Sequence, residues 1–206
     1  MRRPVDDIED ASIQQPALDR LLRFDRRTEA GYEAEHGPAR AAHLRHTIIF
    51  GILLYILHDI STYLLLPDHY RIIVLATLFV IIPCSLAAAY GVARVSAEVR
   101  EIMVLGAMLA ATALPLFMLY FSNAPHSTHM NVEVILCVVF ANMVLALRFR
   151  YALTYSCVIL FGAAVAVGMK QGVDPNLKIA LCFQFTSVCL LSVYSNYLFE
   201  RRRCMD

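Results

Sequence analysis

Six apolar stretches separated by short polar links constrain the fold of this sequence more than any other feature. A helix of roughly 20 apolar residues crosses a bilayer core of about 30 Å, and each stretch is close to that length. The stretches are residues 47–66, 72–93, 102–121, 132–147, 151–169 and 179–199. No link between them is long enough to hold a soluble domain. The sequence therefore predicts an all-α integral membrane bundle of six helices.

The composition agrees with a membrane protein. Of the 206 residues, 59% are hydrophobic and 17% are charged, whereas about 25% are charged in soluble domains. The net charge of +1 and the lack of a nucleic-acid-binding motif predict no nucleic-acid partner. Acidic residues follow residues 1–3 in place of the apolar segment of a signal peptide. We therefore expect a polar leader without a cleavable signal.

The charge distribution divides the chain into four segments. We expect a disordered leader over 1–15, a cytoplasmic or juxtamembrane helical segment over 16–46, a six-span domain over 47–199 and the start of a cytoplasmic signalling helix over 200–206. Leucines at helical spacing after Pro16 are compatible with an amphipathic helix under the membrane, although a solvated helix is the favoured interpretation. These leucines are Leu18, Leu21 and Leu22. Gly37 and Pro38 are expected to interrupt this helix before the first span.

Positive charges near the span ends predict the orientation of the bundle. Lysine and arginine in short links are retained on the cytoplasmic side of a membrane. Nine arginines fall on one side of the predicted bundle, namely Arg40, Arg45, Arg94, Arg100, Arg148, Arg150, Arg201, Arg202 and Arg203. The other side carries Arg71, Lys170 and Lys178. We therefore expect both termini in the cytoplasm.

Two carboxylates lie within or beside the apolar stretches, Asp59 and Glu133. A charged side chain at the centre of a bilayer costs at least about 2.5 to 3.5 kcal/mol, so both are expected to have a partner or a function. Asp59 is expected in the outer half of the first span and Glu133 at the outer mouth of the fourth. Neighbouring polar side chains are expected to join them in one outward-facing pocket: Tyr55, His58, Tyr63 and Gln184.

The links on the outer side add Asp68, His69, His126 and His129. Imidazoles and carboxylates are ligand types that a divalent transition metal accepts. The predicted metal ligands are Asp59, Glu133 and His129, and the wider ligand-binding set adds His126, His69 and His58. The alternative is that these histidines are ordinary interfacial or helix-bonded residues. A b-type haem is disfavoured, because it needs two facing histidines and only His58 lies well inside a span.

The last span ends in the sequence YSNYLFERRRCMD, which contains no glycine or proline to stop a helix. We therefore expect the sixth helix to continue into the cytoplasm. The residues expected to transmit a signal there are Tyr197, Glu200, Arg201, Arg202 and Arg203.

This exit resembles the junction in bacterial membrane-bound nucleotide cyclases, in particular GGDEF-type diguanylate cyclases. In that family a six-span sensory domain ends in an aromatic, leucine, glutamate and arginine pattern, represented here by SNYLFERRR. The link between the fourth and fifth spans, RFRYAL at 148–153, is similar in character. The beginning of the chain is also similar, through Tyr32, Glu33, Arg40, Arg45 and the acidic Asp59 of the first span. The resemblance covers most of the chain from about residue 21 to the end.

The resemblance implies a homodimeric sensory domain in the bacterial inner (cytoplasmic) membrane, with a cyclase domain in cis. In the family a connecting helix and the cyclase follow the last span, so the effector is expected after Asp206. The chain itself contains no GGDEF or EAL motif. Membrane-bound class III adenylate cyclases have similar inputs, so the resemblance leaves cyclic di-GMP and cyclic AMP open as products.

Two other functions compete with a sensor. A small six-helix transporter or ion pathway would explain an intramembrane acid, but the ionisable groups do not continue across the inner half and no inverted repeat is visible. An intramembrane enzyme is disfavoured, because the spans contain no HExxH motif, no paired aspartates and no serine with a histidine partner. The identity of the ligand stays open among a metal, a lipid, a quinone and a peptide.

Overall fold

The computed structural model describes residues 26–65, 69–122 and 127–205. This part of the chain is helical apart from short links and contains no strand. The six helices are α1 Arg26–Leu65, α2 Tyr70–Gly91, α3 Ala97–Phe121, α4 Ser127–Val144, α5 Phe149–Met169 and α6 Pro175–Met205. Each contains a segment long and apolar enough to cross a membrane, which confirms the predicted six-span, all-α architecture. The predicted leader, Asp68 and His126 lie outside the described residues.

The predicted interruption at Gly37 and Pro38 is wrong, because α1 is one helix of 40 residues with Pro38 inside it. Contacts from other helices hold this turn in place. Glu33, one turn earlier, pairs with Arg100 at 2.7 Å and with Arg148 at 3.4 Å. The Glu33 carboxylate lies against Gly37, where an added Cβ would be only 2.5 Å from Oε1. The helical path therefore depends on close packing that the local sequence does not reveal.

The six helices form two four-helix units that share α3 and α4. In the first unit α3, α4, α6 and α5 pack in a closed ring. Its centre is filled by Tyr155, which is fully buried, and by Phe185, which is 2% exposed. In the second unit α1 packs on α2 and α2 packs on α3, whereas α1 and α4 face each other across a cavity. One unit is thus filled by side chains, whereas the other contains a half-open cavity.

Two π-helical turns interrupt the regular helices, one in α2 at Thr77–Ile81 and one in α4 at Phe140–Val144. The first closes when the Ile82 N–H donates to the Thr77 carbonyl, just before Pro83, which has no N–H to donate to the preceding turn. The second closes when the Leu145 N–H donates to the Phe140 carbonyl at 2.9 Å. Ala146 then has a φ of 48°, a left-handed conformation that ends α4.

Lys170 anchors the link after α5 to the end of α3. Its side chain is buried and donates to the carbonyls of Leu119 at 2.5 Å and Ser122 at 2.7 Å. The last carbonyls of a helix have no partner within it. Lys170 therefore caps α3 from a different helix.

We predict that this lysine makes the stability of the bundle depend on pH. Burial lowers the pKa of Lys170 from its usual 10.5, so the unfolded chain binds more protons between the lowered pKa and 10.5. Stability should therefore be lowest below the lowered pKa and rise with pH through that window. It should reach its full value above 10.5. Denaturant unfolding of wild type and Lys170→Met at pH values up to about 11 measures this. An identical pH profile in both proteins would contradict the assignment.

Candidate functional site

A cavity of about 540 Å³ lies between α1, α2, α3 and α4. Its walls are mostly aliphatic and aromatic, with examples from three of the helices in Ile52, Val104, Met108, Leu136 and Phe140. Along α1 it extends from Ile48 to Asp59, about 16 Å of helix. Tyr55 crosses one wall and donates its hydroxyl to the Ala111 carbonyl at 3.0 Å. The volume is in the range of small-molecule sites, roughly 300 to 1,000 Å³.

One end of this cavity carries a polar cluster, defined here as His58, Asp59, Thr62 and Glu133. The His58 Nδ1 and Glu133 Oε1 atoms are 2.9 Å apart, and the Thr62 hydroxyl donates to the same carboxylate oxygen at 3.1 Å. His58 and Thr62 are four residues apart, which places them on one face of α1. Glu133 lies in the first turn of the α-helical part of α4, where the helix dipole favours a carboxylate. Asp59 lines the cavity beside this group.

The structure therefore brings together three of the predicted ligand residues, Asp59, Glu133 and His58, and leaves the others elsewhere. Gln184 accepts a hydrogen bond from Asn131 at 3.0 Å, which ties α6 to α4 instead of entering the cavity. The Tyr63 ring packs edge-on against the ring of Tyr70, with 4.7 Å between centroids.

The remaining predicted histidines lie at helix starts. The carbonyl of His69 accepts the N–H groups of Ile72 and Ile73, and His129 is exposed at the beginning of α4. Neither lines the cavity, and His126 lies outside the described residues. In the described part of the chain, no three histidine, cysteine, aspartate or glutamate side chains form a group that could hold a metal. The metal set of Asp59, Glu133 and His129 stays a prediction.

A second polar cluster, which the sequence analysis missed, lies at the opposite end of the bundle. We call it the arginine network: Glu33, Arg40, Arg100, Glu101 and Arg148. Glu101 has no exposed surface, and the Arg40 Nη2 atom lies 3.0 Å from its Oε1 and 3.3 Å from its Oε2. Arg40 also donates to the carbonyls of Leu145 at 3.1 Å and Ala146 at 2.8 Å. The network therefore holds the α4–α5 link against α1 and α3.

Sequence reasoning missed this network because Glu101 falls just outside the third predicted span, residues 102–121. Glu101 and Arg40 are 61 residues apart, and nothing in either local sequence marks them as partners. The one available signal was that each lies near the end of a predicted span that carries an excess of arginine.

A stripe of polar residues on α6 contacts the same link. Ser192, Asn196 and Glu200 recur every four residues and so share one face of the helix. The Asn196 amide donates to the carbonyls of Asn142 and Leu147, both at 2.8 Å. The Glu200 carboxylate accepts the N–H of Phe149. The position of α6 is therefore fixed by hydrogen bonds to the end of α4 and the start of α5.

The residues predicted to transmit a signal lie next to this stripe. The Tyr197 ring packs on the ring of Phe149, with 5.3 Å between centroids. Arg201 and Arg202 are exposed, and α6 passes through Arg203 and ends at Met205. The helix is therefore unbroken from Pro175 through the aromatic and basic segment.

Comparisons with family models, with curated proteins and with solved structures find no match. Function is therefore inferred from the chemistry of the cavity and from the contacts of α6. Among the described residues that line the cavity, Asp59, Glu133 and His58 supply charge or hydrogen bonds at one end, and none is a lysine or arginine. Such a site suits an apolar molecule with one polar or cationic group.

Proposed function

We propose that this chain is a membrane sensory input domain that binds a ligand in the cavity and regulates a cytoplasmic nucleotide cyclase through α6. The observation that carries the proposal is the cavity, which is open space inside a bundle and ends in the His58, Asp59, Thr62 and Glu133 cluster. In this proposal the cluster faces the extracytoplasmic side of a bacterial inner membrane, and both termini are cytoplasmic.

The lining supports a ligand with an apolar body and one amine or other cationic group. Two carboxylates at one end would stabilise a positive charge, because charges within a bilayer are usually paired. The described wall contains no lysine or arginine to pair with them, and the imidazole of His58 carries a positive charge only when it is protonated. A divalent metal ion is the second ligand class, and it would use Asp59 and Glu133 with His129 as the third predicted ligand.

The output is proposed to be cyclic di-GMP synthesis by a diguanylate cyclase in a homodimer. Support comes from the continuity of α6, which runs for 31 residues from one end of the bundle past the arginine network. A ligand can bias an effector only if it binds one arrangement of the helices better than another. A rigid last helix is a means of carrying such a bias to a domain that follows it.

The ligand proposal predicts that dodecylamine stabilises the protein in lipid nanodiscs more than dodecanol, which has the same chain length and no charge. At about a hundredfold excess over the dissociation constant, the amine should raise the melting temperature by roughly 5 to 10 °C. Loss of the helical circular dichroism signal measures unfolding, because the described residues are helical apart from short links. The advantage of the amine should disappear in Asp59→Asn and in Glu133→Gln.

The matched control is Glu98→Gln, which removes an exposed carboxylate outside the cavity and should keep the full amine effect. Zinc chloride tested on the same proteins distinguishes the metal class. If neither the amine nor zinc stabilises wild type more than it stabilises the two carboxylate variants, the cavity is not a site for these ligands and the proposal fails.

A further inference from the structure

We propose that the π-helical turn Phe140–Val144 of α4 is the element that transmits the state of the cavity to α6. This inference rests on the proposed function, since it supplies the path from the ligand to the last helix. The turn has two faces, one that lines the cavity and one that is hydrogen-bonded to α6. A change on the first face therefore has a direct mechanical route to the second.

The cavity face of the turn consists of Phe140 and Val144, followed by Leu145. The Phe140 ring lies against Gly51 of α1, so closely that an added Cβ there would be 2.8 Å from Cζ and 2.9 Å from Cε1. The ring therefore lies between α1 and the turn. A molecule that enters the cavity and pushes on this ring therefore pushes on the turn that carries it.

The other face of the turn is held through Asn142, which has no exposed surface. Its amide donates to the hydroxyls of Ser156 and Ser192, both at 2.9 Å. The backbone carbonyl of Asn142 accepts a hydrogen bond from the side-chain amide of Asn196. The same amide also donates to the Leu147 carbonyl. Two positions of α6 are thus bonded to a single turn of α4.

The turn has the properties of an element with a second accessible arrangement. Its i+5 hydrogen bond accommodates one extra residue relative to an α-helical turn, and Ala146 is held in the left-handed conformation just after it. The Oδ1 atoms of Asn142 and Asn196 are buried without a hydrogen-bond partner in the described part of the chain. Unpaired buried acceptors cost roughly 1 to 3 kcal/mol each. A rearrangement that gives these two oxygen atoms hydrogen-bond donors would therefore recover free energy, and this gain would offset part of the free-energy cost of the rearrangement.

The consequence at the end of α6 follows from Glu200. The Asn196 amide donates to the Asn142 carbonyl near the end of α4. One turn later, the Glu200 carboxylate accepts a hydrogen bond from the N–H of Phe149 at the start of α5. A shift of the turn would change these two anchor points relative to each other. The last helix would then rotate or slide at the position where it leaves the bundle.

A tryptophan reporter tests this path, because the sequence contains no tryptophan. Tyr197→Trp places the only indole of the chain beside Phe149, in the full chain in nanodiscs. Ala107→Phe fills the cavity from α3, and Gly51→Ala pushes the Phe140 ring from α1. Both should shift the emission maximum of Trp introduced at 197 and increase amide hydrogen exchange over 145–150. Gly106→Ala is the matched control, since an added Cβ there meets nothing within 4 Å.

Adding Ser192→Ala and Asn196→Leu together to each cavity variant should abolish the shift, because the two substitutions remove both hydrogen-bonded links between the turn and α6. The proposal is overturned if both cavity variants leave the emission unchanged, or if the shift persists when Ser192→Ala and Asn196→Leu are both present. Gly51→Ala provides the test should Ala107→Phe fail to fold. The proposed function fails separately, when dodecylamine and zinc do not distinguish the carboxylate variants even though the cavity variants still shift the emission.

Discussion

Replacing Glu101 with glutamine is expected to lower the free energy of unfolding by about 3 to 5 kcal/mol, the range for breaking a buried ion pair by removing one partner. Glutamine keeps the shape of the side chain but removes the charge that balances Arg40. It also weakens the acceptor for the Arg148 N–H, which lies 3.3 Å from Oε2. Equilibrium unfolding in detergent micelles measures the loss.

Glu98→Gln is the matched control for this prediction. Glu98 pairs with Arg150 at 2.9 Å, nearly the distance seen for Glu101, but its side chain is 66% exposed. Exposed pairs contribute about 0 to 1 kcal/mol, so this variant should unfold almost like wild type. Equal losses in the two variants would show that burial does not determine the strength of the arginine network. They would also weaken the view that this network fixes the α4–α5 link.

The second large effect is expected from Tyr155→Ala, with a loss of about 2 to 4 kcal/mol. Tyr155 is fully buried at the centre of the unit formed by α3, α4, α5 and α6. Lipid tails are as apolar as this core, so the transfer of the ring from its surroundings contributes little. The expected loss comes instead from the void left behind and from its missing van der Waals contacts.

Tyr155→Phe separates the ring from its hydroxyl. The Thr112 hydroxyl donates to the Met108 carbonyl at 2.7 Å, so the Tyr155 hydroxyl, 2.6 Å away, donates to Thr112. Hydrogen bonds between membrane helices average about 0.6 kcal/mol, and this variant should lose little more than that. Thermal unfolding of both variants, compared with wild type, measures the two contributions. A loss in Tyr155→Phe as large as in Tyr155→Ala would mean that the hydrogen bond, and not the packing, stabilises the unit.

The candidate site was only partly predictable. Asp59 and Glu133 could be identified because a carboxylate in an apolar stretch is costly wherever the helices go. The residues that surround them could not be identified, since these depend on which helices pack against each other. Gln184 was expected beside them and instead bonds to Asn131. Thr62, which donates to Glu133 from 71 residues away, gave no signal in a span of ordinary composition.

The sequence by itself determined that this chain forms six helices that are long and apolar enough to cross a membrane. Within a bilayer every backbone N–H and C=O must be paired inside the segment, so an apolar stretch of sufficient length has the helix as its solution. Only the tertiary structure decided that α1 continues without a break through Gly37 and Pro38, that a half-open cavity lies between α1 and α4, and that Arg40 meets Glu101. These outcomes depend on the rotation and the neighbours of each helix. Because lipid tails are as apolar as the helix surfaces, no hydrophobic force selects which face of a helix is buried, and the local sequence pattern does not indicate it.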